Sequence, residues 1–501
     1  MGFRSDIKRC SVFNEFSSAE QKQYFGITRD KVIFNIDTLY YTCCLYEDRE
    51  EDVTQLLRQF KIWKEEYSKD KKDILFFDMH YRPLHFSIYE HCMSIENMFD
   101  IFFSSYLPNK DTPRIVVQLR SVGLWQKGIE EMIKYSLDHL NEFLKPFNLD
   151  ITTINVNRID YAYHSNLIQN TSKFLNDRAL LNNLKSKLRI YQKVGNISDT
   201  VEVDYLALGN RKSNNIFFRT YNKTREVVEQ NYKGFFIEVW HKNGLISEYD
   251  KYCLEAAYKQ GSYAYLNIAR IDWYVEHGSN EVLKTELLKI RNKYFVTNDN
   301  YTYIRKALRN VLPEVTTIMN VEYQTKTKFF HSIEGMLKWI PDDSVLDVPK
   351  ELQKLTKIIR NSRIITDYLT SETVAFFNFK SNEYLAWWKR IRECKVDTMF
   401  KGALMRHYGR NIDLNRLKQK MLISIASISS YKTKQNTTDL TDDISSVLCV
   451  LNDNDMHKII LNADTGEQVD FVNGMYRDIK KRKYRQLKPL LEETGEQKND
   501  N

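Results

Sequence analysis

The alternation of apolar and polar residues divides the chain into a first part that mixes strands with helices and a later part that is mostly helical. Short segments rich in β-branched and aromatic residues predict strands, and apolar residues three or four apart predict helices. The predicted strands cover residues 32–45, 74–88 with a break at Pro83, 112–120, 152–163, 201–208, the segment around Tyr221 and 267–275. The predicted helices cover residues 52–67, 129–143 and 175–194, and nearly everything after Glu281.

This order of elements predicts an α+β fold. An antiparallel sheet is expected in the first part of the chain, followed by a mainly α-helical C-terminal region. Helices and strands alternate irregularly, and no glycine-rich phosphate loop follows a strand. The pattern therefore argues against a doubly wound nucleotide-binding fold.

Composition limits which partners and which cellular compartment are expected for the protein. A formal net charge of +8 over 501 residues permits a polyanionic partner without requiring one. The seven cysteines are scattered and show no metal-finger spacing, so we expect reduced thiols. No apolar run reaches the ~18 residues that a membrane-spanning helix needs. We therefore expect a cytoplasmic protein without a membrane partner.

One segment brings a tyrosine together with several cations. Tyr221 lies between Arg219 and Lys223 on a predicted strand, and side chains two apart on a strand share a face. A phenol has a pKa near ~10 and becomes a useful nucleophile only beside positive charge or a metal ion. The pattern favours attack of the Tyr221 hydroxyl on a phosphodiester. The preceding basic loop, Arg211-Lys212-Ser213, would bind phosphate oxygens.

Two further predicted strands carry charged residues on a single face. The first holds Arg158, Asp160 and His164, and the second holds Arg270 and Asp272. Unpaired charges are costly in an apolar core, so we expect these strands to converge with the tyrosine strand on a polar site. Asp160, Asp272 and His164 would then hold one Mg²⁺ or Mn²⁺ ion. The ordinary alternative is that each Arg-x-Asp is an ion pair on a solvated sheet face and that the tyrosine only packs.

The same residues, in the same order, resemble the motifs of a known family. Arg158-Ile159-Asp160-Tyr161-Ala162-Tyr163-His164, the run from Gly209 to Lys223, and Arg270-Ile271-Asp272 resemble the Rep_trans family of rolling-circle plasmid replication initiators and the related relaxases of integrative and conjugative elements. In the middle motif the matching residues are Gly209, Arg211, Ser213, Phe217, Arg219, Tyr221, Asn222 and Lys223. His164 stands where the family usually has an aspartate, and Asp272 where it usually has a glutamate.

The resemblance implies a nicking-closing enzyme with a relaxase-like, HUH-related antiparallel sheet. The tyrosine attacks one DNA strand at the origin, becomes linked to the 5′ phosphate and frees a 3′ hydroxyl. The implied roles are catalysis for Tyr221, Arg219 and Lys223, metal binding for Asp160, Asp272 and His164, and DNA binding for Arg211, Lys212, Ser213, Arg158 and Arg270. The expected partners are origin DNA, a DNA polymerase and a second copy of the chain in a loose homodimer. A host helicase is also expected, since no helicase-type phosphate loop is present in the sequence.

The domain organisation is predicted from the same pattern. Residues 1–30 form a polar lead-in, 31–280 the nicking-closing domain, 281–435 a helical region for DNA recognition or assembly, and 436–501 a small hairpin with a charged tail. Two other functions stay open. A relaxase that starts conjugative transfer would use the same chemistry, and a DNA-binding regulator would keep the fold without cutting.

Overall fold

The structure, a computed structural model, describes residues 5–27, 30–45, 50–70, 74–84, 88–105, 113–188, 190–194, 205–230, 233–293, 298–337, 345, 347–394 and 421–425. The chain divides into two compact units, Met1–Arg410 and Asn411–Asn501. Within the second unit only the helical stretch 421–425 is described. The hairpin and the charged tail predicted for 436–501 therefore lie outside the described residues.

Strands and helices are interspersed through the first unit, which confirms the predicted α+β class. The described strands are β1 (Val32–Leu45), β2 (Ile74–Phe76), β3 (Met79–Pro83), β4 (Tyr89–Ile95), β5 (Phe99–Ser104), β6 (Ile115–Leu119), β7 (Ile151–Ser165), β8 (Leu184–Ser186), β9 (Ile190–Val194), β10 (Tyr205–Leu208), β11 (Ile216–Asn222), β12 (Met319–Lys326), β13 (Val374–Asn378) and β14 (Glu383–Tyr384). The described α-helices are α1 (Ser5–Lys8), α2 (Ser18–Phe25), α3 (Glu50–Asp70), α4 (Ser121–Lys127), α5 (Ile129–Leu144), α6 (Thr171–Asn176), α7 (Arg178–Asn182), α8 (Lys223–Glu229), α9 (Phe235–Lys242), α10 (Glu248–Gln260), α11 (Leu266–His277), α12 (Glu281–Lys293), α13 (Asn298–Ala307), α14 (Thr327–Leu337), α15 (Lys350–Arg360), α16 (Ser362–Tyr368) and α17 (Ala386–Glu393). None of these helices is both long enough and apolar enough to cross a lipid bilayer.

One antiparallel sheet organises the first unit. It joins eleven of the described strands in the order β2-β3-β4-β5-β6-β1-β7-β12-β11-β10-β9. The long strands β1 and β7 pair along nearly their whole lengths at its centre, with Leu39 opposite Ile159. Strands β14, β13 and β8 form a separate small sheet.

Strand β12 corrects the prediction that nearly everything after Glu281 is helical. It lies between β7 and β11, so that Glu322 is opposite Ala162 on one side and Arg219 on the other. The strand is short and stands between α13 and α14 in the sequence, and its polar residues are as buried as its apolar ones. The alternation of apolar and polar residues in β12 is therefore short, and the helical patterns before and after it dominated the prediction.

Helix α11 corrects a second prediction, which placed a strand over residues 267–275. Ile268, Ile271 and Tyr274 recur every three residues, so the sequence fits a helix as well as a strand. The residues from Leu266 to Ile271 are all buried, and the helix therefore shows little polar face to distinguish it. The single helix predicted over 175–194 is likewise replaced, by α6, α7, β8 and β9.

The two faces of the central strands differ in their chemistry. Tyr41, Ile159, Tyr161, Val321 and Phe218 point to one face and join the main apolar core with side chains of α3, α5 and α15. The residues that alternate with them point to the opposite face, which carries buried charged and amide side chains. Because successive side chains of a strand project to opposite sides, one two-residue pattern builds both layers. We call the second layer the polar face.

A second apolar cluster lies beside the end of β7. Helices α8 to α11 supply most of it, and Trp125 joins it from α4. Phe13, Phe16 and Phe25 are buried in the same cluster, although residues 1–30 were predicted as a polar lead-in. Aromatic residues near the N-terminus thus pack against helices α10 and α11, where Phe25 contacts Tyr249 and Trp273.

Replacing Phe218 with alanine tests the assignment of the apolar face. Phe218 is fully buried against Tyr323, Phe376 and Trp388. We expect the substitution to lower the free energy of unfolding by about 3–5 kcal/mol, because it leaves a cavity. Urea titration followed by circular dichroism measures the change. Val282→Ala, at a side chain that is 72% exposed, should change it by less than about 0.5 kcal/mol, and equal effects would contradict the assignment.

Candidate active site

Three neighbouring strands place the predicted chemistry on the polar face. In the register of β7, β12 and β11, Gln324 lies opposite Asp160, and Glu322 lies opposite Arg219. Asn320 lies between Tyr221 on β11 and His164 on β7. The sheet thus brings together residues that are far apart in the sequence.

Two buried carboxylates are each held by an arginine. Arg158 donates to both oxygens of Asp160, with Nε 2.7 Å from Oδ1, and Arg219 donates to both oxygens of Glu322, at 2.9 Å and 2.8 Å. The carboxylate side chains are each 2% exposed, whereas the arginine side chains are 19% and 20% exposed. Burial raises the pKa of Asp160 above its ordinary value. Solvent therefore reaches the cations rather than the anions.

The sequence after Tyr221 ends the strand and starts a helix. Asn222 caps α8, its side chain accepting a hydrogen bond from the backbone N–H of Arg225 at 3.0 Å. The Thr224 hydroxyl accepts a hydrogen bond from the backbone N–H of Ile318 at 2.7 Å, which fixes the turn. Lys223 therefore begins a helix and does not share a strand face with Tyr221, which corrects the prediction.

Despite this correction, the Tyr221 hydroxyl has the charged neighbours that the pattern predicted, together with others. Asn320 Nδ2 donates to it at 2.9 Å, Lys223 Nζ donates at 3.4 Å, and the hydroxyl donates to Glu226 Oε2 at 3.3 Å. The Arg219 guanidinium lies 5.1 Å from the centre of the tyrosine ring. The residue is 7% exposed, but its surroundings are polar rather than apolar.

The charges around this hydroxyl set its proton chemistry. Burial raises the pKa of Tyr221, and the Glu226 carboxylate raises it further. Burial also opposes ionisation of Glu226, but the ammonium groups of Lys223 and Lys233 outweigh it and lower the pKa of that carboxyl. Each ammonium lies 2.7 Å from a Glu226 oxygen. The phenol therefore keeps its proton at rest, in a hydrogen bond to an ionised carboxylate.

His164 does not fit its predicted role as a metal ligand. Its ring stacks on Trp125 with 4.7 Å between ring centres, and Trp240 Nε1 donates to its Nδ1 at 3.1 Å. Burial and the Lys223 charge lower the pKa of His164 to about 3. The neutral ring therefore carries its proton on Nε2, because Nδ1 is an acceptor. Neither nitrogen has a lone pair available for a metal ion.

Asp37 is a buried carboxylate that the sequence analysis did not identify. It lies at an irregularity of β1, where its side chain accepts hydrogen bonds from Ser121 Oγ at 2.8 Å and Trp125 Nε1 at 3.0 Å. Burial opposes its ionisation, but the charges of Lys223 and Lys233 lower its pKa. Burial lowers the pKa of Lys223, but Glu226 outweighs this effect and raises the pKa, with a smaller contribution from Asp37.

The basic loop predicted to bind phosphate docks on the end of β12. Lys326 Nζ donates to the carbonyls of Arg211 and Lys212 at 2.7 Å and 2.8 Å. Arg211 Nε reaches Gln324 Oε1 at 3.4 Å, while Lys212 and Ser213 are exposed. The loop therefore places a further cation beside the arginine-covered carboxylates.

Arg270 and Asp272 are not brought to this site. They lie on α11, where Arg270 is buried and donates to the carbonyls of Leu312 and Pro313 at 2.7 Å and 2.9 Å. Asp272 pairs with Arg291 at 2.6 Å. The guanidinium of Arg270 is bound to backbone carbonyls of the chain itself and is therefore not available to DNA.

The predicted metal site of Asp160, Asp272 and His164 is not assembled. In the described part of the chain, no group of three or more His, Cys, Asp or Glu could hold a metal ion.

The structure adds four site residues that the sequence analysis missed. They are Asp37, Glu226, Asn320 and Glu322. The alternation of Met319, Val321 and Tyr323 with polar residues was the available signal for two of them. Glu226 was missed because the strand was expected to continue beyond Tyr221. On such a strand the Glu226 side chain would lie away from the Tyr221 hydroxyl.

No protein-family model matches the chain, and no curated protein matches it. Among solved structures, the chain is similar to a rolling circle replication initiator protein from Geobacillus stearothermophilus. That match has 11% sequence identity, covers 72% of this chain and 96% of the other, and has a TM-score of 0.34. A TM-score this low does not establish a shared fold.

The Arg219–Glu322 pair can be tested by a double-mutant cycle. Arg219→Met should lower the free energy of unfolding by about 3–5 kcal/mol, because it leaves Glu322 charged and buried without its cation. Adding Glu322→Gln should recover part of this loss, so that the double variant is more stable than the sum of the single effects implies. Arg390→Met, which breaks an exposed pair with Glu393 at 3.7 Å, is the control. A loss in Arg219→Met no larger than in this control would refute the pairing.

Protonation of His164 should make the free energy of unfolding depend on pH, and the direction of this dependence follows from the pKa shift. The unfolded chain binds a proton at His164 near pH 6.5, and the folded chain does so only at much lower pH. Between these values the unfolded state binds more protons, so stability falls as the pH is lowered. From about pH 6.5 to about 4.5 this group should contribute a loss of about 2–3 kcal/mol. Urea titrations at several pH values should show a smaller slope for His164→Gln, and equal slopes would contradict the buried neutral histidine.

Proposed function

We propose that the protein initiates DNA replication by nicking one DNA strand through transesterification to Tyr221. The observation that carries this proposal is the environment of one hydroxyl. Lys223, Asn320 and Glu226 all contact the Tyr221 oxygen, and Arg219 flanks its ring. A tyrosine that only packed in a core would not need two donors and an ionised acceptor. The resemblance of its sequence motif to rolling-circle initiators supports the choice of DNA as substrate.

The phosphate group would bind to the exposed parts of the arginines. Arg219 and Arg158 reach solvent above their buried carboxylates, and Arg211 lies beside them on the docked loop. Guanidinium groups bind phosphate through paired N–H donors and stay charged at all relevant pH values. A DNA strand lying across β7, β12 and β11 would therefore present a phosphodiester near Tyr221.

In the proposed reaction the Tyr221 oxygen attacks the phosphorus. The bond between phosphorus and the 3′ oxygen breaks, the tyrosine becomes linked to the 5′ phosphate, and the 3′ oxygen takes up a proton from solvent. The phenol proton, held at rest in the hydrogen bond to Glu226, is released to solvent as the new bond forms. Lys223 and Asn320 stabilise the charge that develops on the phenol oxygen. One phosphoester replaces another, so the strand can be rejoined without another energy source.

The free 3′ hydroxyl would serve a DNA polymerase, and a separate helicase would unwind the duplex. The structure does not assemble the predicted three-ligand metal site, and no step of this mechanism passes through a metal ion. A role for Mg²⁺ or Mn²⁺ stays a prediction. Cleavage measured with each ion, and with a chelator, tests that prediction directly.

Replacing Tyr221 with phenylalanine tests the nucleophile. The probe is single-stranded DNA of random sequence with a fluorescent label at the 3′ end, because that end stays with the protein after attack. The wild type should give a labelled band on a denaturing gel, and Tyr221→Phe should reduce it by at least about tenfold, since the attacking oxygen is gone. Sequencing of the bound DNA would give the nicked site, and mass spectrometry the modified residue.

A matched variant controls for nonspecific effects of removing a phenol hydroxyl. Tyr368→Phe changes a tyrosine at the end of α16 that is 36% exposed, and it should form the adduct as the wild type does. A wild type that binds this DNA without any adduct would favour the regulator over the enzyme. If the nicked site supports DNA transfer between cells but not plasmid maintenance, the relaxase would replace the initiator.

A further inference from the structure

A second group of cations lies on the polar face, on the half of the large sheet away from Tyr221. Arg82 on β3 donates to Asp100 Oδ1 at 3.1 Å, and Arg120, which follows β6, donates to Asp100 Oδ2 at 2.6 Å. Phe99 and Ile101, on either side of Asp100 in β5, are buried in the main apolar core. The Asp100 carboxylate therefore projects to the polar face. We call Arg82 and Arg120 the second cation site.

The charge balance of the second cation site differs from that of the arginine–carboxylate pairs on β7, β12 and β11. Each carboxylate of those pairs has one arginine, whereas Asp100 has two, and its side chain is 3% exposed. Within this group one positive charge is therefore in excess. The Arg82 and Arg120 side chains are 46% and 34% exposed, more than the arginines of the other pairs. The second cation site thus has the net charge and the access that a phosphate group requires.

The register of the sheet connects the second cation site with the proposed active site. Asp100 lies opposite Gln118 on β6, and Gln118 lies opposite Tyr40 on β1. Tyr40 in turn lies opposite Arg158 on β7, whose guanidinium is 5.3 Å from the centre of the Tyr40 ring. The sequence neighbours of Gln118 and Tyr40 are buried in the main apolar core, so both side chains project to the polar face. With strands about 4.8 Å apart, this row of polar side chains is about 14 Å long.

Holding Asp100 does not by itself account for two arginines. One guanidinium is enough for Asp160, and one is enough for Glu322. Removing either Arg82 or Arg120 leaves Asp100 paired with the other, so each single variant should keep the fold. The contribution of each arginine to ligand binding can therefore be measured without leaving a buried carboxylate unpaired.

We propose that the second cation site binds a phosphate of the same DNA strand that Tyr221 attacks, so that a single strand crosses the sheet from β11 to β3. This inference rests on the proposed nicking function and assigns the path of its substrate. Between Arg158 and the second cation site lie an aromatic ring and an amide, those of Tyr40 and Gln118. Such groups contact bases, by stacking and by hydrogen bonds to base edges. A single strand exposes its bases to them, whereas a duplex keeps its bases paired inside.

The dependence of DNA binding on strand length tests the proposed path. Every protein in the experiment is the full chain with Tyr221→Phe, so bound DNA stays uncut and binding is measured apart from nicking. Fluorescence anisotropy is recorded with labelled single-stranded DNA of random sequence, from about 4 to about 16 nucleotides, the range of site sizes seen for single-strand binding. Affinity should rise with length until a strand reaches the second cation site, because more phosphates are then neutralised.

Replacing one arginine of the second cation site should affect long strands selectively. Arg82→Met and Arg120→Met should each weaken binding of the longest DNA by at least about fivefold and of the shortest by no more than about twofold. For the longest DNA, the slope of log affinity against log salt should become shallower by about 0.7, since one phosphate contact is lost. Arg82→Lys keeps the charge and should recover part of the loss.

A matched control removes an exposed arginine from the other side of the sheet. Arg390 lies on α17, which packs Trp388 against Phe218 of the apolar face, and its side chain is 53% exposed. Arg390→Met, in the same Tyr221→Phe background, should bind DNA of every length as the background does. The midpoint of urea unfolding, measured for each variant, should stay close to that of the background.

Four outcomes would contradict parts of this scheme, and each contradicts a different part. Unchanged affinity at every length in both Arg82→Met and Arg120→Met would overturn the second cation site. An equal loss at all lengths, or the same loss in Arg390→Met, would also overturn it, because overall charge would then explain the effect. Tighter binding of a duplex than of a single strand of equal length would overturn the single-stranded path. No covalent adduct in the nicking assay, with the length dependence intact, would refute nicking but not this binding path.

Discussion

The polar face depends on the pairing of its buried carboxylates with arginines. Asp160 and Glu322 lie two residue pairs apart on neighbouring strands, and removing two unpaired carboxylates from water would cost more than this sheet could offset. Arg158 and Arg219 compensate that cost, since each planar guanidinium binds both oxygens of its partner. The pairs also fix the register of β7, β12 and β11. A shift by one residue would turn every charge into the apolar core.

The surroundings of the Tyr221 hydroxyl are set by the end of the strand rather than by the strand alone. If β11 continued beyond Asn222, the Lys223 side chain would lie two residues further along the sheet and Glu226 further still. The helix start folds both of them back, because residues three apart on a helix are neighbours. Their ammonium and carboxylate groups then meet the Tyr221 oxygen from one side, while Asn320 meets it from the adjoining strand. Local capping therefore decides the proton chemistry of the site.

The sequence allowed much of this site to be predicted, but not its third strand. Arg158, Asp160, Arg219 and Tyr221 were identified from strand alternation and motif order, and they do lie on one face of one sheet. The second carboxylate was expected at Asp272, on a strand predicted over residues 267–275. That segment is α11, whose residues Leu266 to Ile271 are all buried and show little polar face to reveal the helical period. Glu322 stands in a short strand between two helices, and the helical patterns on both sides outweighed the alternation that could have revealed it. Pairing between distant strands depends on long-range packing that local patterns do not encode.

Arg219 contributes both to the stability of the fold and to the polar surroundings of Tyr221. Its guanidinium neutralises Glu322 and lies against the ring of Tyr221. A lysine at this position would supply a charge, but not the planar set of donors that serves a carboxylate and a phosphate at once. The Tyr221 hydroxyl is different, because removing it leaves both arginine–carboxylate pairs intact. The Tyr221 oxygen can therefore be varied without loss of the sheet, whereas the guanidinium of Arg219 cannot.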